Sequence, residues 1–340
     1  MNSEPAAALH PFSRLEPDAI LDAVESTGVR CDGRLLALNS YENRVYQVGL
    51  EDAPAIVVKF YRPARWTDAA ILEEHAFAAE LVAAELPVVA PLPDVDEKTL
   101  HKHAGFRFAI YPRRGGRAPE LDRDDTLRRI GRVLGRMHAV GARVRFAHRE
   151  SVTVETIGRG PAAWLLAHDC LPPDLAPAYR VVAMQALEAV DVCFQRAGAV
   201  TTLRLHGDCH AGNVLWTDDG PHFVDLDDCR QGPAMQDLWM LLSGERAEQH
   251  AQLSAVLDGY ETFRAFDRAE LNLVEALRTL RVVRHAAWLA RRWDDPAFPA
   301  SFPWFNTQRY WQDHVLALRE QAALMSEPPL AVPSREGPSQ

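Results

Sequence analysis

Asp208, Asn213 and Asp225 are oxygen-bearing side chains whose spacing suits phosphoryl transfer. Asp208 and Asn213 stand five apart in the run HGDCHAGN at 206–213, and Asp225 follows twelve residues beyond Asn213, in the apolar run Phe223-Val224-Asp225-Leu226. A loop-borne carboxylate can receive the proton of an attacking hydroxyl, and an amide oxygen plus a second carboxylate can hold Mg²⁺ against nucleotide phosphates. Chemistry of this kind is mostly positioning and charge neutralisation, so it needs few residues on a stiff support. Val214-Leu215-Trp216, the turn Asp218-Asp219-Gly220-Pro221 and His222-Phe223-Val224 supply that support as a hairpin. Other readings exist for the same residues. His206, Asp208 and His210 alternate as ligands of a zinc hydrolase could, although no completing histidine pair is evident elsewhere. Cys209 could be a nucleophile beside His210; filling space in a tight loop is the reading adopted. Asp228 is read as a turn or cap residue, and Asp227 stays open between a cap and a second metal contact.

HGDCHAGN, VDLDD at 224–228 and QDLWMLL at 236–242 occur in this order. With these motifs the chain, from roughly Gly33 to Met325, resembles the bacterial stress response kinase A family. That family is similar to aminoglycoside phosphotransferases and choline kinases, and more distantly to eukaryotic protein kinases. The resemblance implies an α+β, bilobal protein-kinase-like fold with a small antiparallel-sheet N-lobe and a mostly helical C-lobe. It implies ATP as co-substrate and Mg²⁺ as metal. By position, Asp208 is the catalytic base, Asn213 and Asp225 hold the metal, and Asp237 braces the catalytic loop through its backbone. It further implies a protein serine/threonine kinase, autophosphorylating, in a bacterial stress response. Relatives on the same scaffold phosphorylate choline, homoserine or aminoglycosides, so a small-molecule hydroxyl kinase is the alternative. A pseudokinase binding module would lack part of the set Lys59, Asp208, Asn213 and Asp225, and all four are present.

These residues require a sheet and a helix to complete the nucleotide site. Strands are expected at 34–38, 44–50 and 55–60, after a loose leader at 1–13 and a short helix at 17–27. Between the first two strands, Asn39-Ser40-Tyr41-Glu42-Asn43 stands where protein kinases carry a glycine-rich loop, and it contains no glycine. The resemblance places an ATP contact at Ser40; an ordinary hairpin turn is the equal alternative. Lys59, in Val57-Val58-Lys59-Phe60, would alone read as a solvent-facing strand residue. The kinase-like fold instead asks for a Lys–Glu pair with a helix at 68–85, and Glu74 is the expected partner, with Glu73 the fallback. A strand at 106–111 would offer backbone near Ala109–Tyr111 to adenine. The run Pro112-Arg113-Arg114-Gly115-Gly116 breaks periodicity and is read as the hinge. The expected division is an N-lobe at 1–112, a C-lobe at 113–325 and a disordered tail at 326–340.

In the C-lobe an amphipathic helix at 124–139 presents Leu127, Ile130, Leu134 and Met137, with Gly131 and Gly135 placed for close approach of another helix. His138 is given a packing or cap role. Further helices are expected at 162–168, 175–195, 236–243, 246–264, 268–293 and 304–325. Arg278, Arg281, Arg284, Arg291 and Arg292, with His285 among them, read ordinarily as a solvated face. They could instead line the active site and attract an acidic or phosphorylated substrate. Phe302, Trp304, Phe305, Tyr310 and Trp311 are assigned to core or cover.

A chain of 340 residues that is 47% hydrophobic can bury two cores. A net charge of −10 argues against nucleic acid or an anionic membrane as partner. Five cysteines without a CxxC pair suit reduced thiols in a cytoplasm. No apolar run approaches the roughly 20 residues of a membrane helix, and a monomer is expected.

Overall fold

The structure is a computed structural model that describes residues 10–332. It divides into two compact units that are not consecutive stretches of chain. The first combines residues up to Ala79 with Val89–Arg114 and Arg291–Pro303; the second combines Glu80–Val88, Gly115–Ala290 and the chain from Trp304. The expected boundary at 112 lies near the division at 114/115, while nothing in the sequence signalled that 291–303 returns to the first unit.

In the first unit, β1 (Cys31–Ala37), β2 (Arg44–Leu50), β3 (Ile56–Phe60), β4 (His101–His103) and β5 (Phe106–Pro112) form an antiparallel sheet in the order β1-β2-β3-β5-β4. Strand alternation sorts its residues onto two faces. Val48, Val58, Phe60, Phe106 and Phe108 build one core with Ile20 and Val24 of α1 (Pro17–Glu25). Phe12 joins that core, so the expected loose leader is packed at this point; its residues 1–9 lie outside the described residues. The opposite face gathers Tyr61 and Ala109 against Ile71 of α2 (Asp68–Ala83). Thr67 Oγ1 caps this helix by accepting from the Ala70 amide at 3.2 Å.

The returning segment is fastened by charge. Asp295 accepts from Arg44 Nη2 at 2.9 Å and from Arg62 Nη2 at 2.6 Å, and all three are largely buried. Glu42 meets Arg62 Nε and Arg292 Nη2, each at 3.0 Å. Phe302, after the short helix Ala297–Ser301, packs edge-on to Tyr41 with ring centroids 4.8 Å apart.

The second unit is mostly helical: α3 (Asp124–Gly141), α4 (Gly160–Ala167), α5 (Ala176–Ala197), α6 (Met235–Leu238), α7 (Arg246–Tyr260), α8 (Val274–Arg291) and α9 (Gln308–Leu324). α3 and α7 approach at Gly131 and Gly135, where an added Cβ would meet the Val256 and Tyr260 carbonyls, and Gly259 lies against the Arg128 carbonyl in the same way. Two small ladders sit among the helices. β6 (Leu203–Leu205) pairs with β9 (Arg230–Gly232), and β7 (Val214–Thr217) pairs with β8 (Gly220–Phe223). The single helices expected at 236–243 and 268–293 are each part 3₁₀, over Trp239–Leu241 and Arg268–Leu273. Phe305 and Trp311 are core residues, whereas Trp304 is half exposed. Of the expected disordered tail, 333–340 lies outside the described residues. Before it, Leu330 is buried and Arg246 donates to the Pro328 and Pro329 carbonyls. Among the described residues no helix is long and apolar enough to cross a membrane.

Candidate active site

Loop 206–213 runs from β6 to β7, and its shape is set by a carboxylate beneath it. Asp237, in α6, accepts the Gly207 amide on Oδ1 at 2.8 Å and the His206 amide on Oδ2 at 2.9 Å. Its Oδ2 also lies 3.0 Å from His138 Nε2, and His138 Nδ1 lies 3.0 Å from the Tyr260 hydroxyl. Both Asp237 and His138 are fully buried. A charge in such a position is tolerable because both of its oxygens are hydrogen-bonded. Gly207 has φ of +85° and faces the Asp228 carbonyl where a Cβ would stand, so the loop turns here only with glycine.

Asp208, Asn213 and Asp225 are linked through this loop and its hairpin. Asn213 Nδ2 donates to the Asp208 carbonyl at 2.9 Å, which leaves the amide oxygen as the atom to offer a cation. Val214 pairs with Phe223, and the Val224 amide donates to the Asn213 carbonyl at 3.0 Å. This register puts Asn213 opposite Val224, the residue that precedes Asp225 in the chain. Asp225 itself adopts a left-handed backbone, φ 61° and ψ 67°, an uncommon conformation for a residue with a Cβ and one that concentrates at functional sites.

Asp208 is held on both oxygens. Arg281, of α8, donates to Oδ1, and His210 Nε2 lies 3.4 Å from Oδ2. His210 Nδ1 accepts the Gly212 amide at 2.9 Å, so the ring proton sits on Nε2, facing Asp208. Burial by itself raises the Asp208 pKa. The His210 hydrogen bond and the Arg281 guanidinium outweigh burial and the nearby Asp228 charge, and hold it at about 2. Asp228 lies in the 3₁₀ turn Leu226–Asp228, in keeping with the turn role expected of it, and it also carries ion pairs. Its Oδ1 accepts from Arg230 Nη2 at 2.8 Å and from Arg284 Nη2 at 2.6 Å. Asp227 is buried, and its carbonyl accepts from Arg149 Nη1 at 2.6 Å. His285, four residues beyond Arg281 on α8, is held near pKa 4 by burial and by Arg281, so it is neutral at pH 7.

In the first unit, Lys59 Nζ meets Glu74 Oε1 at 2.8 Å, both buried, with the Tyr61 and Tyr111 rings 4.9 Å and 5.4 Å from the ammonium. Glu74 rather than Glu73 is therefore the partner of Lys59. Ser40 Oγ donates to the Asn43 carbonyl at 3.1 Å, as in a turn, and its oxygen keeps acceptor capacity.

The zinc arrangement finds no ligand set. Among the described residues no group of three or more His, Cys, Asp or Glu side chains is placed to hold a metal. His206 has both ring nitrogens engaged, Nε2 with the Val224 carbonyl at 2.9 Å and Nδ1 with the Asp208 amide at 3.4 Å. Burial pushes the Cys209 thiol well above its ordinary pKa, which suits a space-filling residue and not a nucleophile. An Asn–Asp pair of oxygens does suit Mg²⁺, which takes one or two protein ligands and completes its shell with water and phosphate oxygens. Sequence reasoning missed His138 and Tyr260 as supports of Asp237. For Arg281 and Arg284 the sequence left a solvated face and an active-site lining both open, and the structure sets them beside the loop, on Asp208 and Asp228.

The profile of the phosphotransferase enzyme family matches residues 34–274. The chain is 48% identical over 319 residues to stress response kinase A of Escherichia coli (strain K12), across 94% of this chain and 96% of that protein. It is 47% identical over 319 residues, with the same coverage, to the serine/threonine protein kinase RdoA of Salmonella typhimurium (strain LT2). Among solved structures it is similar to amicoumacin kinase hAmiN in complex with AMP-PNP, Ca²⁺ and Ami, at a TM-score of 0.70 and 18% identity over 92% of this chain and 95% of that one. It is also similar to a microcompartment-associated aminopropanol kinase, at a TM-score of 0.68 and 17% identity over 90% and 96%. At these identities the likeness is one of fold, and it is the kinase-like α+β fold expected from the sequence.

Proposed function

Because the chain belongs to the phosphotransferase enzyme family, among the stress response kinase A proteins, we propose that it is an ATP- and Mg²⁺-dependent protein serine/threonine kinase, autophosphorylating, monomeric and cytoplasmic. One observation carries the reading. The Asn213 side chain is bonded to the Asp208 carbonyl and the Asn213 carbonyl to the Val224 amide, next to Asp225, and this hydrogen-bonded linkage of the three supports a base and two metal ligands on one loop and its hairpin. The name of the Salmonella relative supports a protein acceptor.

In this reading Asp208 accepts the acceptor's hydroxyl proton as its oxygen bonds to the γ-phosphorus and the bond from that phosphorus to the β–γ bridging oxygen breaks, releasing ADP. Asn213 and Asp225 hold Mg²⁺, which supplies charge neutralisation to the phosphates. Lys59, oriented by Glu74, binds phosphate oxygens, and Ser40 contributes a nucleotide contact from the β1–β2 turn. Asp237 and His138 act on the loop and touch no reactant.

The test is incubation with γ-labelled ATP and Mg²⁺, alone, with a generic protein acceptor and with a panel of small alcohols, beside Asp208→Ala and Lys59→Met. Label is expected on Ser or Thr of protein and to fall by roughly 10²–10⁴ in Asp208→Ala. Label confined to the small alcohols would replace the protein acceptor with a small-molecule one. Failure to bind ATP would remove the kinase reading altogether.

A further inference from the structure

We propose that the acceptor carries an anionic group, a carboxylate or a phosphate monoester, beside the hydroxyl to be phosphorylated, and that Arg281 and Arg284 recognise it. The proposal rests on the phosphoryl-transfer reading and names its substrate class as an acidic peptide. The two arginines stand three apart on α8 and so share one face of it. Arg281 donates to Asp208 and Arg284 to Asp228, and their side chains are 39% and 33% exposed. A guanidinium has five N–H donors in a planar fork, so one bond to the loop leaves donors on each for a second oxyanion. Arginine is the side chain suited to that task, because the fork matches carboxylate and phosphate geometry.

Position counts as much as charge. Asp208 is the atom group a reacting hydroxyl must approach, and its two oxygens lie against Arg281 and His210. An acceptor arriving there comes within reach of Arg281, with Arg284 one helical turn away. An anion beside the hydroxyl gains both guanidiniums and draws Arg281 off the base that the reaction needs. A neutral neighbour gains nothing, and a cationic one is repelled. Each arginine is matched by one carboxylate of the loop, so what the pair offers an incoming anion is its remaining N–H donors and not an excess of charge. The competing account is structural: Arg281 and Arg284 merely offset Asp208 and Asp228, two carboxylates close enough for one to raise the pKa of the other. That account predicts no preference among acceptors by charge.

Fluorescence anisotropy separates the two, using the full chain and labelled peptides of equal length with one serine flanked by aspartate, phosphoserine, glutamine or lysine. The aspartate and phosphoserine peptides are expected to bind about tenfold tighter than the glutamine peptide or better, with lysine weakest. That preference should shrink to within about twofold in Arg284→Gln and Arg281→Gln, and survive in part in Arg284→Lys, which keeps charge without the fork. The ratio of the two anionic peptides shows which oxyanion is preferred. Equal binding of aspartate and glutamine peptides by the unsubstituted protein overturns the proposal, and so does a preference that persists in both glutamine variants. Label transfer to the same peptides is read separately. A charge preference without any transfer keeps the anion site and removes the protein-acceptor reading, whereas transfer without charge preference does the reverse.

Discussion

Glu270 carries an acid–base prediction that belongs to a single side chain. It is 3% exposed, and its Oε2 accepts the Met235 amide at 2.7 Å at the start of α6, the helix that holds Asp237. Burial pushes its pKa up from 4.5 to about 7, against the pull of that hydrogen bond. The folded protein therefore binds this proton more tightly than the unfolded chain does. Its contribution to stability is full below about pH 4.5 and is lost as pH rises through about 7. Glu270→Gln keeps an acceptor for Met235 and removes the titration. Thermal scans should show the variant melting above the parent at pH 8, with the gap closing towards pH 5; a gap of constant size would refute the assignment. Nothing in the local sequence marks Glu270, because its shift arises from burial that only the folded chain creates. Glu74 differs, since a lysine on one strand and the adjacent acids Glu73 and Glu74 on the next helix left only a choice between neighbours, which the inward face of α2 decides.

At the scale of elements, the α3–α7 contact allows a prediction whose sign is informative. Alanine normally favours an exposed helix over glycine by about 1 kcal/mol. Gly135 faces the Tyr260 carbonyl of α7, so a methyl group there must push two backbones apart. Gly135→Ala is expected to destabilise by about 1–3 kcal/mol, the usual range for overpacking, as a lower urea midpoint at unchanged slope. A stabilised variant would mean that the helices do not meet there. This contact was legible, because glycines four apart beside a Leu–Ile–Leu–Met stripe repeat with the helical period. The motif-bearing hairpin was legible too, through its turn residues. β4, β6 and β9 were not: each is three residues long, too short for alternation to show, and each is defined by its pairing partner. The helix ends at 236–241 and 268–273 were blurred for a related reason, since 3₁₀ and α turns share nearly the same apolar spacing.

At the scale of the whole molecule, charge and chain path are linked through Asp295. Replacing it by alanine leaves the Arg44 and Arg62 guanidiniums facing a methyl group in a largely buried setting. Breaking a buried pair from one side costs about 3–5 kcal/mol, so Asp295→Ala should lower thermal stability markedly, whereas Asp313→Ala, at an exposed i, i+4 pair on α9, should change it by less than about 0.5 kcal/mol. Equal effects would show that the returning segment is not fastened by these ion pairs. The segment also sets an order in time. Domains commonly fold as they leave the ribosome, amino-terminal part first. Here the first unit includes residues 291–303, so the chain must be synthesised past them before its opening sheet can receive its last piece. Nascent molecules therefore hold Arg44 and Arg62 without Asp295 for most of translation, and stalling the ribosome before residue 291 should leave the amino-terminal sheet less resistant to protease than stalling after 303.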